Sequence, residues 1–417
     1  METGKPERET GFKVGCFSKF PTLNLHPRRR WKDNLPDKTE IITDASGLKR
    51  VIDELLQASR IALDIESDGF YNYRDRVCIV TLSSESRDYV VDTLALNGEA
   101  ILMQELLDRP DVPVLMHSGQ NDVLALKRDY EMNFALVHDT AVAAMLLGLQ
   151  QTGLAALSEV YLGMKLEKEL QRHDWSRRPI ELEHVQYLIN DTRHLFRLHD
   201  LIEDELRKHE LLDEYRLECD AVAQSEPRKR EFDPERFRRI KGHGDLSDPQ
   251  RGVLQALYAW RDELAAELDR APFRVMGDST LLEIARKLPG DLKALESVRG
   301  VGEWIMKDHG RDMLQAIEQG ADSPTSVRPP RRKPTEPVQR LDPQQRERLG
   351  RLKRWREKEA ERRGVGLQAI LPTAVLKDLI TEPPSSMEEL ARVERVGKSR
   401  VDRYGEEILK LINKPTQ

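Results

Sequence analysis

Residues 61–66 read Ile-Ala-Leu-Asp-Ile-Glu, a short β-rich run that ends in acidic residues. Because successive side chains of a strand point to opposite faces, Asp64 and Glu66 lie on one face, while Leu63 and Ile65 lie on the other. Two more β-rich runs follow after polar turn stretches, VCIVTLS at 77–83 and DYVVD at 88–92. The three runs predict neighbouring strands of one sheet.

Downstream of these runs, the spacing of apolar residues alternates between the helical and the strand period. It predicts, in order, a helix at 99–107, a strand at 112–116, a helix at 120–129, a strand at 134–137, helices at 141–149 and 154–162, and a long helix at 181–208. Asp139 or Thr140 is expected to cap the helix at 141. Three strands followed by alternating helices and strands indicate an α/β domain with a mixed sheet.

Residues 246–317 and 341–412 are two copies of one sequence pattern. A shift of 95 positions aligns them without a gap, and 17 of the 72 aligned positions are identical. The matches are mostly apolar or glycine, as in Trp260 with Trp355, which we expect to be core residues rather than base-stacking platforms. The helical spacing within each copy predicts two small all-α domains.

The remaining stretches are polar or charged. Residues 1–35 are predicted to be a flexible arm and residues 221–245 a charged connector. Residues 321–340, rich in proline and arginine, are predicted to be an extended linker. The rest of the chain is predicted to form three folded units: the sheet domain (36–220), the first repeat (246–320) and the second repeat (341–417).

Charge is unevenly distributed, although the whole chain of 417 residues carries a net charge of only −6. Residues 36–220 hold 36 Asp and Glu against 20 Lys and Arg, whereas residues 221–417 hold 33 against 39. The small negative total argues against a nucleic-acid partner, but an acidic half followed by a basic half favours one.

Cysteine usage and hydropathy bear on the location of the protein. Cys16, Cys78 and Cys219 are far apart and lack the spacing of a metal site. They predict a reduced, cytoplasmic setting. The N-terminal residues show no apolar signal sequence, and no apolar run approaches the length of a membrane span, so no membrane partner is expected.

Four acids and one tyrosine are the residues most suited to chemistry, although each alone has a second interpretation. Asp64 and Glu66 are costly to bury unless a divalent cation neutralises them. The alternative interpretation is that this end of the strand is exposed to solvent. Asp122 lies early in a predicted helix, where the helix dipole favours any acid. Tyr187 and Asp191 share a helix face, as a catalytic pair or as a packed phenol beside a solvated acid.

The order of these residues along the chain is more specific than any one of them. D-x-E on a first strand, an Asp after His117-Ser118-Gly119, and Y-x-x-x-D on a late helix together resemble the DEDD superfamily of 3′–5′ exonucleases, in its tyrosine-containing subgroup. Three further stretches resemble the ribonuclease D family: YRDRVCIV at 73–80, Gly153-Leu154 leading into YLG at 161–163, and DWSRRP at 174–179. The two repeats look like the HRDC domain, a helical nucleic-acid-binding module. The resemblance covers about residues 36–412.

This resemblance implies an RNase H-like exonuclease fold for the sheet domain and a two-metal mechanism. Asp64 would bridge two divalent cations, Mg²⁺ or Mn²⁺, while Glu66 and Asp191 complete the first site and Asp122 binds the second through water. Such cations activate a water and stabilise the leaving oxygen of a phosphodiester. Tyr187 would orient the water, since a phenol with a pKa near 10 suits donation better than proton removal.

The resemblance also implies contacts to the substrate, which we predict for His117, Arg177 and Arg178. His117 has the alternative of being a core histidine at a strand end. Trp175 and the arginines after it have the alternative of forming a structural corner before the long helix. Many relatives carry Asn after the histidine, where this chain has Ser118, and this departure leaves the contact with the terminal nucleotide open.

The second repeat carries a basic helix whose role is also open. Its charges either contact phosphates without base specificity or form salt bridges on a solvated face. The basic residues concerned are Arg346, Arg348, Arg351, Lys353, Arg354, Arg356 and Lys358.

The function implied by the resemblance is a metal-dependent 3′–5′ exoribonuclease that hydrolyses RNA, such as the 3′ ends of tRNA precursors, to nucleoside 5′-monophosphates. No obligate protein partner is indicated. A DNA 3′–5′ exonuclease is the first alternative, because the same acids serve both substrates and discrimination depends on the terminal 2′-OH. A catalytically silent RNA-binding scaffold is the second, and it is disfavoured because all four acids are present.

Overall fold

The computed structural model describes residues 39–166, 170, 172–228, 231–326 and 341–414. The predicted arm at 1–35 and most of the predicted linker at 321–340 lie outside the described residues. The sheet domain and both repeats belong to one structural unit. None of the helices in the described part of the chain combines the length and apolar character needed to cross a membrane.

The sheet domain is built on six strands in the order β1-β4-β3-β2-β5-β6. These are β1 (Thr39–Ile42), β2 (Ile61–Ser67), β3 (Val77–Ser83), β4 (Asp88–Asp92), β5 (Val114–Met116) and β6 (Val137–Asp139). Strand β3 is antiparallel to β2 and β4, while the other three pairings are parallel. The predicted mixed sheet is therefore confirmed, with the predicted second and third strands at 77–83 and 88–92. The edge strand β1 is absent from the sequence prediction because only Ile42 of its four residues is buried, so no apolar pattern marks it.

Helices pack against this sheet. They are α1 (Ala45–Leu55), a 3₁₀ turn (Glu99–Met103), α2 (Gln104–Leu107), α3 (Gln120–Tyr130), α4 (Thr140–Leu146), α5 (Leu154–Leu157) continued by a π turn (Ser158–Leu162), α6 (Leu182–Arg193), α7 (Leu195–Lys208) and α8 (Leu212–Ala223). The long helix predicted at 181–208 is divided at His194. The division lets α6 pack on β2, β3 and β4, whereas α7 packs on α4 and β5.

Both repeats are all-α, as predicted. The first contains α9 (Asp248–Glu267), α10 (Pro272–Val275), α11 (Asp278–Lys287), α12 (Leu292–Glu296) and α13 (Glu303–Ala321). The second contains α14 (Pro343–Arg363), α15 (Leu367–Ile370), α16 (Thr373–Thr381), α17 (Met387–Arg392) and α18 (Lys398–Asn413).

The duplication extends to individual hydrogen bonds. Capping boxes begin the first helix of each repeat, at Ser247 and at Asp342, which are 95 residues apart. The buried Arg261 donates to the carbonyl of Met276 over 2.8 Å, and Arg356 donates to the equivalent carbonyl of Leu371 over 2.9 Å.

The basic helix predicted in the second repeat, α14, uses part of its charge internally. Arg348, Arg351 and Arg356 donate to backbone carbonyls of Ile412, Leu411 and Leu371. These three arginines hold the helices of the repeat together. The exposed basic residues of the predicted set are Arg346, Lys353, Arg354 and Lys358.

The segment predicted to be a connector, 221–245, is partly packed. Helix α8 continues to Ala223, and two 3₁₀ turns follow at Pro234–Arg239 and His243–Asp245. Phe237 and Ile240 are buried in the hydrophobic core of the first repeat. A charged composition therefore conceals apolar residues that attach this segment to the repeat.

Equivalent positions of the two repeats dock on the sheet domain. In the first repeat, the Ala271 amide donates to the carbonyl of Tyr71 over 2.9 Å, in the loop between β2 and β3. In the second, the Gly366 amide donates to the carbonyl of Leu146 over 2.7 Å, at the end of α4. The second repeat also shares one continuous hydrophobic core with the sheet domain, whereas the first has a core of its own.

Candidate active site

The carboxyl-terminal half of β2 carries the first two predicted acids. Asp64 and Glu66 are half-buried and lie on one face of the strand, as the alternation of the sequence predicts. A register shift against β3 falls between Glu66 and Ser67, where the strand leaves the regular ladder. Helix α6 packs across this part of the sheet and brings Asp191 to the same place. Carboxylate oxygens of Asp64, Glu66 and Asp191 lie within 4.8 Å of one another.

Asp122, the fourth predicted acid, lies in the first turn of α3. It is not part of the group of three whose oxygens lie within 4.8 Å, but its charge raises the pKa values of Asp64 and Glu66. The structure therefore brings residues that are up to 127 positions apart in the sequence into one electrostatic cluster, with Asp122 at its edge.

The position of Asp122 depends on the buried Asp139, at the end of β6. The Asp139 carboxylate accepts from the amides of Ser118 (3.0 Å) and Gly119 (2.8 Å), which lead into α3. It also accepts from the amide of Ala141 (2.8 Å), so that it caps α4. The sequence predicts only the cap. The second role follows from the parallel pairing of β5 and β6, which places the ends of both strands at the same edge of the sheet.

Burial raises the pKa values of all four acids, and repulsion within the group raises those of Asp64 and Glu66 further. Burial is the largest cause for Glu66, whose pKa rises to about 8, with further contributions from Asp191 and Asp122. Burial and the charge of Asp139 raise the pKa of Asp122 to about 7, and burial raises that of Asp191 to about 6. The pKa of Asp64 is raised well above its usual range, first by burial and then by the other three acids.

This set of donors fits divalent cations. It consists of carboxylate oxygens, the ligands that hard cations prefer. Four half-buried acids that repel one another are unfavourable as ions, and bound positive charge removes that repulsion. The three converging carboxylates can hold one cation together, and Asp122 is close enough for its charge to act on the same position.

Tyr187 lies one turn before Asp191 on α6 and is half-buried. Its ring stacks on that of the buried Trp175, with centroids 5.9 Å apart. Burial, followed by the charges of Asp191 and Glu66, raises the pKa of Tyr187 above its usual value of 10. The phenol therefore remains protonated at neutral pH and acts as a hydrogen-bond donor. The Trp175 indole also acts on Glu66, whose pKa it lowers.

His117 lies between β5 and α3 and is partly buried. Its Nδ1 is 2.9 Å from Thr140 Oγ1, and that hydroxyl donates to the carbonyl of Met116 over 3.3 Å. The hydroxyl therefore accepts from Nδ1, which leaves Nε2 unprotonated. Nε2 is buried and has no hydrogen-bond partner among the described residues. Burial lowers the pKa of His117, so the imidazole is neutral at pH 7.

The two arginines of the predicted substrate contacts lie in different environments. The Arg177 side chain is 75 % exposed and makes one ion pair, at 3.2 Å, with Asp174. The Arg178 guanidinium instead donates to the buried Asp92 over 2.5 Å and to the carbonyls of Trp175 and Cys78. These bonds favour the structural alternative for Arg178, whereas most of the Arg177 side chain remains exposed and its substrate contact stays a prediction.

Comparisons with known families divide the chain as its folded units do. The family described as 3′-5′ exonuclease matches residues 39–207, which contain all four acids and Tyr187. The family described as HRDC domain matches twice, at residues 250–317 and 345–412, within the first and second repeats.

Individual relatives include ribonucleases. The chain is 32 % identical over 286 residues to ribonuclease D of Zymomonas mobilis, a match that covers 67 % of this chain and 72 % of the relative. It is 26 % identical over 327 residues to the exosome complex exonuclease RRP6 of Saccharomyces cerevisiae, which covers 72 % of this chain but only 44 % of that longer protein.

Among solved structures, Escherichia coli RNase D, an exoribonuclease involved in structured RNA processing, has the same fold. Its TM-score is 0.60 at 22 % identity, and the match covers 91 % of this chain and all of that one.

Proposed function

This chain belongs to the ribonuclease D family, and from that membership we propose that it is a 3′–5′ exoribonuclease, which removes nucleotides one at a time and releases nucleoside 5′-monophosphates. The convergence of Asp64, Glu66 and Asp191, with Asp122 at their edge, is the observation that carries the proposal. The phosphodiester substrate is itself an anion, so four carboxylates would repel it unless bound cations neutralised them. Their convergence therefore supports metal-dependent hydrolysis.

We assign two divalent cations, Mg²⁺ or Mn²⁺, to the four acids. Asp64 would be shared, Glu66 and Asp191 would complete one site, and Asp122 would serve the other. When bound, the cations supply Lewis acidity that activates a water and stabilises the leaving oxygen. Both ions prefer oxygen donors, so the donor set fits either of them.

The other residues of the site bind and orient. Tyr187 remains protonated, since its pKa is raised above 10, and donates a hydrogen bond that positions the attacking water. His117 is neutral at pH 7 and is held by Thr140, and we keep it as the proposed neighbour of the terminal nucleotide. Arg177, exposed beside the site, contacts a phosphate.

RNA is the proposed substrate, and the names of the relatives favour it over DNA. We propose that the two HRDC domains hold structured RNA, such as tRNA precursors with a 3′ extension, in the cytoplasm and without an obligate protein partner. The predicted division of the chain supports this arrangement, with an exonuclease domain at 36–220 and HRDC domains at 246–320 and 341–417.

The test follows the ends of labelled substrates. The protein is incubated with RNA or DNA labelled at the 3′ or the 5′ end, with Mg²⁺, Mn²⁺ or EDTA. We expect cation-dependent shortening of RNA from the 3′ end, with release of nucleoside 5′-monophosphates. The Asp191→Asn variant is expected to lose this activity by at least about 10³-fold. The control Asp220→Asn, on an exposed position of α8, keeps it. Shortening of DNA alone would support the first alternative, and RNA binding without shortening the second.

A further inference from the structure

Three aromatic side chains and two arginines form an exposed cluster where the sheet domain meets the first repeat. Phe70 and Tyr71 belong to the loop between β2 and β3, while Phe273 and Arg274 belong to α10. Arg172 precedes Trp175 and lies over the Phe70 ring, 5.8 Å from its centroid. We call these five residues the aromatic platform.

The two phenylalanines of the platform are unusually exposed for their size. Phe70 is 41 % exposed and Phe273 is 50 % exposed, although their ring centroids are only 5.0 Å apart. They therefore present a joint apolar surface to solvent instead of burying it. Cations surround this surface, because Arg274 lies 5.3 Å from the Phe70 centroid and 6.0 Å from that of Phe273.

Hydrogen bonds and a cation–π contact join residues of the platform to one another. The Arg274 Nε donates to the carbonyl of Phe70 over 2.8 Å, and its guanidinium lies 3.6 Å from the centroid of the Tyr71 ring. The Tyr71 hydroxyl donates to the carbonyl of Arg172 over 2.8 Å. These contacts tie Arg274 and the Tyr71 ring to the backbone that carries Phe70, so part of the platform is already ordered before a base stacks on it.

The platform is close to the cluster of acids by two routes along the chain. Phe70 is four positions after Glu66, so their Cα atoms are at most about 14 Å apart. Arg172 is three residues before Trp175, whose indole contacts the ring of Tyr187 and acts on Glu66. A strand that ends at the acids therefore has the platform within reach of its next few nucleotides.

The second repeat folds without equivalents of the α10 side chains that contribute to the platform. The equivalents of Phe273 and Arg274 in the second repeat are Gln368 and Ala369. Two positions earlier, Ala271 and its equivalent Gly366 each donate a backbone hydrogen bond to the sheet domain, although different residues follow them. The aromatic and cationic pair is thus particular to the first repeat.

We propose that the aromatic platform binds the single-stranded 3′ extension of RNA, a few nucleotides upstream of the bond that is cut. Bases stack on Phe70 and Phe273, and Arg172 and Arg274 contribute cation–π attraction and phosphate contacts. Stacking is tolerant of sequence, because every base has a π face. The inference rests on the proposed exoribonuclease function and adds to it a subsite that selects for an unpaired tail.

The test compares substrates of different length. In the Phe273→Gln variant, which copies the second repeat, we expect the ratio of kcat/KM for a ten-nucleotide single-stranded RNA to kcat/KM for a dinucleotide to fall by about 5- to 100-fold. Phe273→Trp keeps a stacking surface and is expected to keep the ratio near that of the wild type. In an Asp191→Asn background, the Kd for the ten-nucleotide RNA should rise by a similar factor when Phe273→Gln is added.

The matched control is Phe232→Gln, a phenylalanine that is 42 % exposed and whose ring stacks on Tyr258 of α9. Because its ring contact is with Tyr258 and not with a platform ring, it should leave the ratio unchanged. The proposed subsite is contradicted if Phe273→Gln lowers kcat/KM equally for both substrates or for neither. It is also contradicted if the variant changes the oligomeric state. If the wild type fails to shorten RNA, the proposed function has failed instead, so the two failures are distinguishable.

Discussion

At the scale of single residues, the site is defined by carboxylates whose ionised form is disfavoured by burial. Glu66, Asp122 and Asp191 have pKa values raised to about 8, 7 and 6, with burial as the largest cause of each. A protein that places acids in this way gives up stability for function, because the same acids on the surface would ionise without penalty. Bound cations, or protons in their absence, relieve the repulsion.

The first prediction concerns pH in the metal-free protein. Each of these pKa values is raised above its unfolded value, so the folded state binds more protons than the unfolded state between about pH 4 and pH 8. Their contribution to stability is full below pH 4 and is lost as pH rises through 6, 7 and 8. We therefore expect the Tm measured in EDTA to fall over this range because of these groups, and the Tm gained from added Mn²⁺ to grow with pH.

The Asp191→Asn variant isolates one of these contributions. At pH 7 without metal, we expect it to be more stable than the wild type by about 1–3 kcal/mol, since the amide has no charge to bury. It should also gain less from Mn²⁺. Calorimetry at pH 5.5, 7 and 8.5 provides the measurement. A gain from Mn²⁺ that is the same at all three pH values would contradict the assignment.

The second prediction concerns Tyr187. If it positions water by donating a hydrogen bond, Tyr187→Phe should lower kcat by about 10- to 100-fold and leave the Mn²⁺-induced rise in Tm intact. The pH–rate profiles of the wild type and the variant should have the same shape between pH 6 and pH 9, because a phenol with a raised pKa does not titrate in this range. If the variant instead lost a limb that the wild type shows, Tyr187 would be a general base.

At the scale of elements, the site depends on what joins β5, α3, β6 and α4. Asp139 uses one carboxylate to fix the turn before α3 and the start of α4. Ser118, in that turn, has a positive φ of 58°, which is unusual for a residue other than glycine. The hydrogen bonds to Asp139 hold the turn in this conformation, and Asp122 is carried into the site as a result.

The third prediction tests this clamp. Asp139→Asn keeps one acceptor oxygen and loses the charge, so we expect a loss of about 2 kcal/mol of unfolding free energy. We also expect a fall in kcat/KM of about 10- to 100-fold, because Asp122 is displaced. Chemical denaturation and RNA cleavage measure the two effects.

The control for this variant is another N-cap aspartate. Asp44 caps α1 by accepting from the Gly47 amide over 2.9 Å, and it is exposed. Asp44→Asn should cost less than about 1 kcal/mol, since asparagine also caps helices well, and it should leave activity unchanged. If Asp139→Asn behaves like Asp44→Asn, then Asp139 is only a cap.

At the scale of the whole molecule, the second repeat is part of the same core as the sheet domain. Gly366 approaches so closely that a Cβ atom there would lie 2.0 Å from the carbonyl oxygen of Met145. Buried charge reinforces the contact, because Arg400 of the repeat pairs with Glu218 of α8 at 3.4 Å. The two units are therefore expected to unfold together.

The fourth prediction uses this close approach. The backbone at Gly366, with φ −70° and ψ 155°, suits any residue, so Gly366→Ala adds a clash without backbone strain. We expect it to lower the free energy of unfolding by about 2 kcal/mol and to shift a single transition to lower temperature. In Gly350→Ala, where the nearest contact is the flexible end of Arg354, we expect a gain of about 0.5–1 kcal/mol. Two transitions in the wild type would contradict a shared core.

The sequence by itself determined the strands at 77–83 and 88–92, the face shared by Asp64 and Glu66, and the duplication of the helical domains. These features are local or repeat at a fixed period, so neighbouring residues are enough to specify them. Only the tertiary structure decided the division of the long helix at His194, the second role of Asp139, the internal bonds of Arg178 and the docking at Gly366. Each of these depends on which distant groups meet at one place, and the packing of the whole chain sets that proximity.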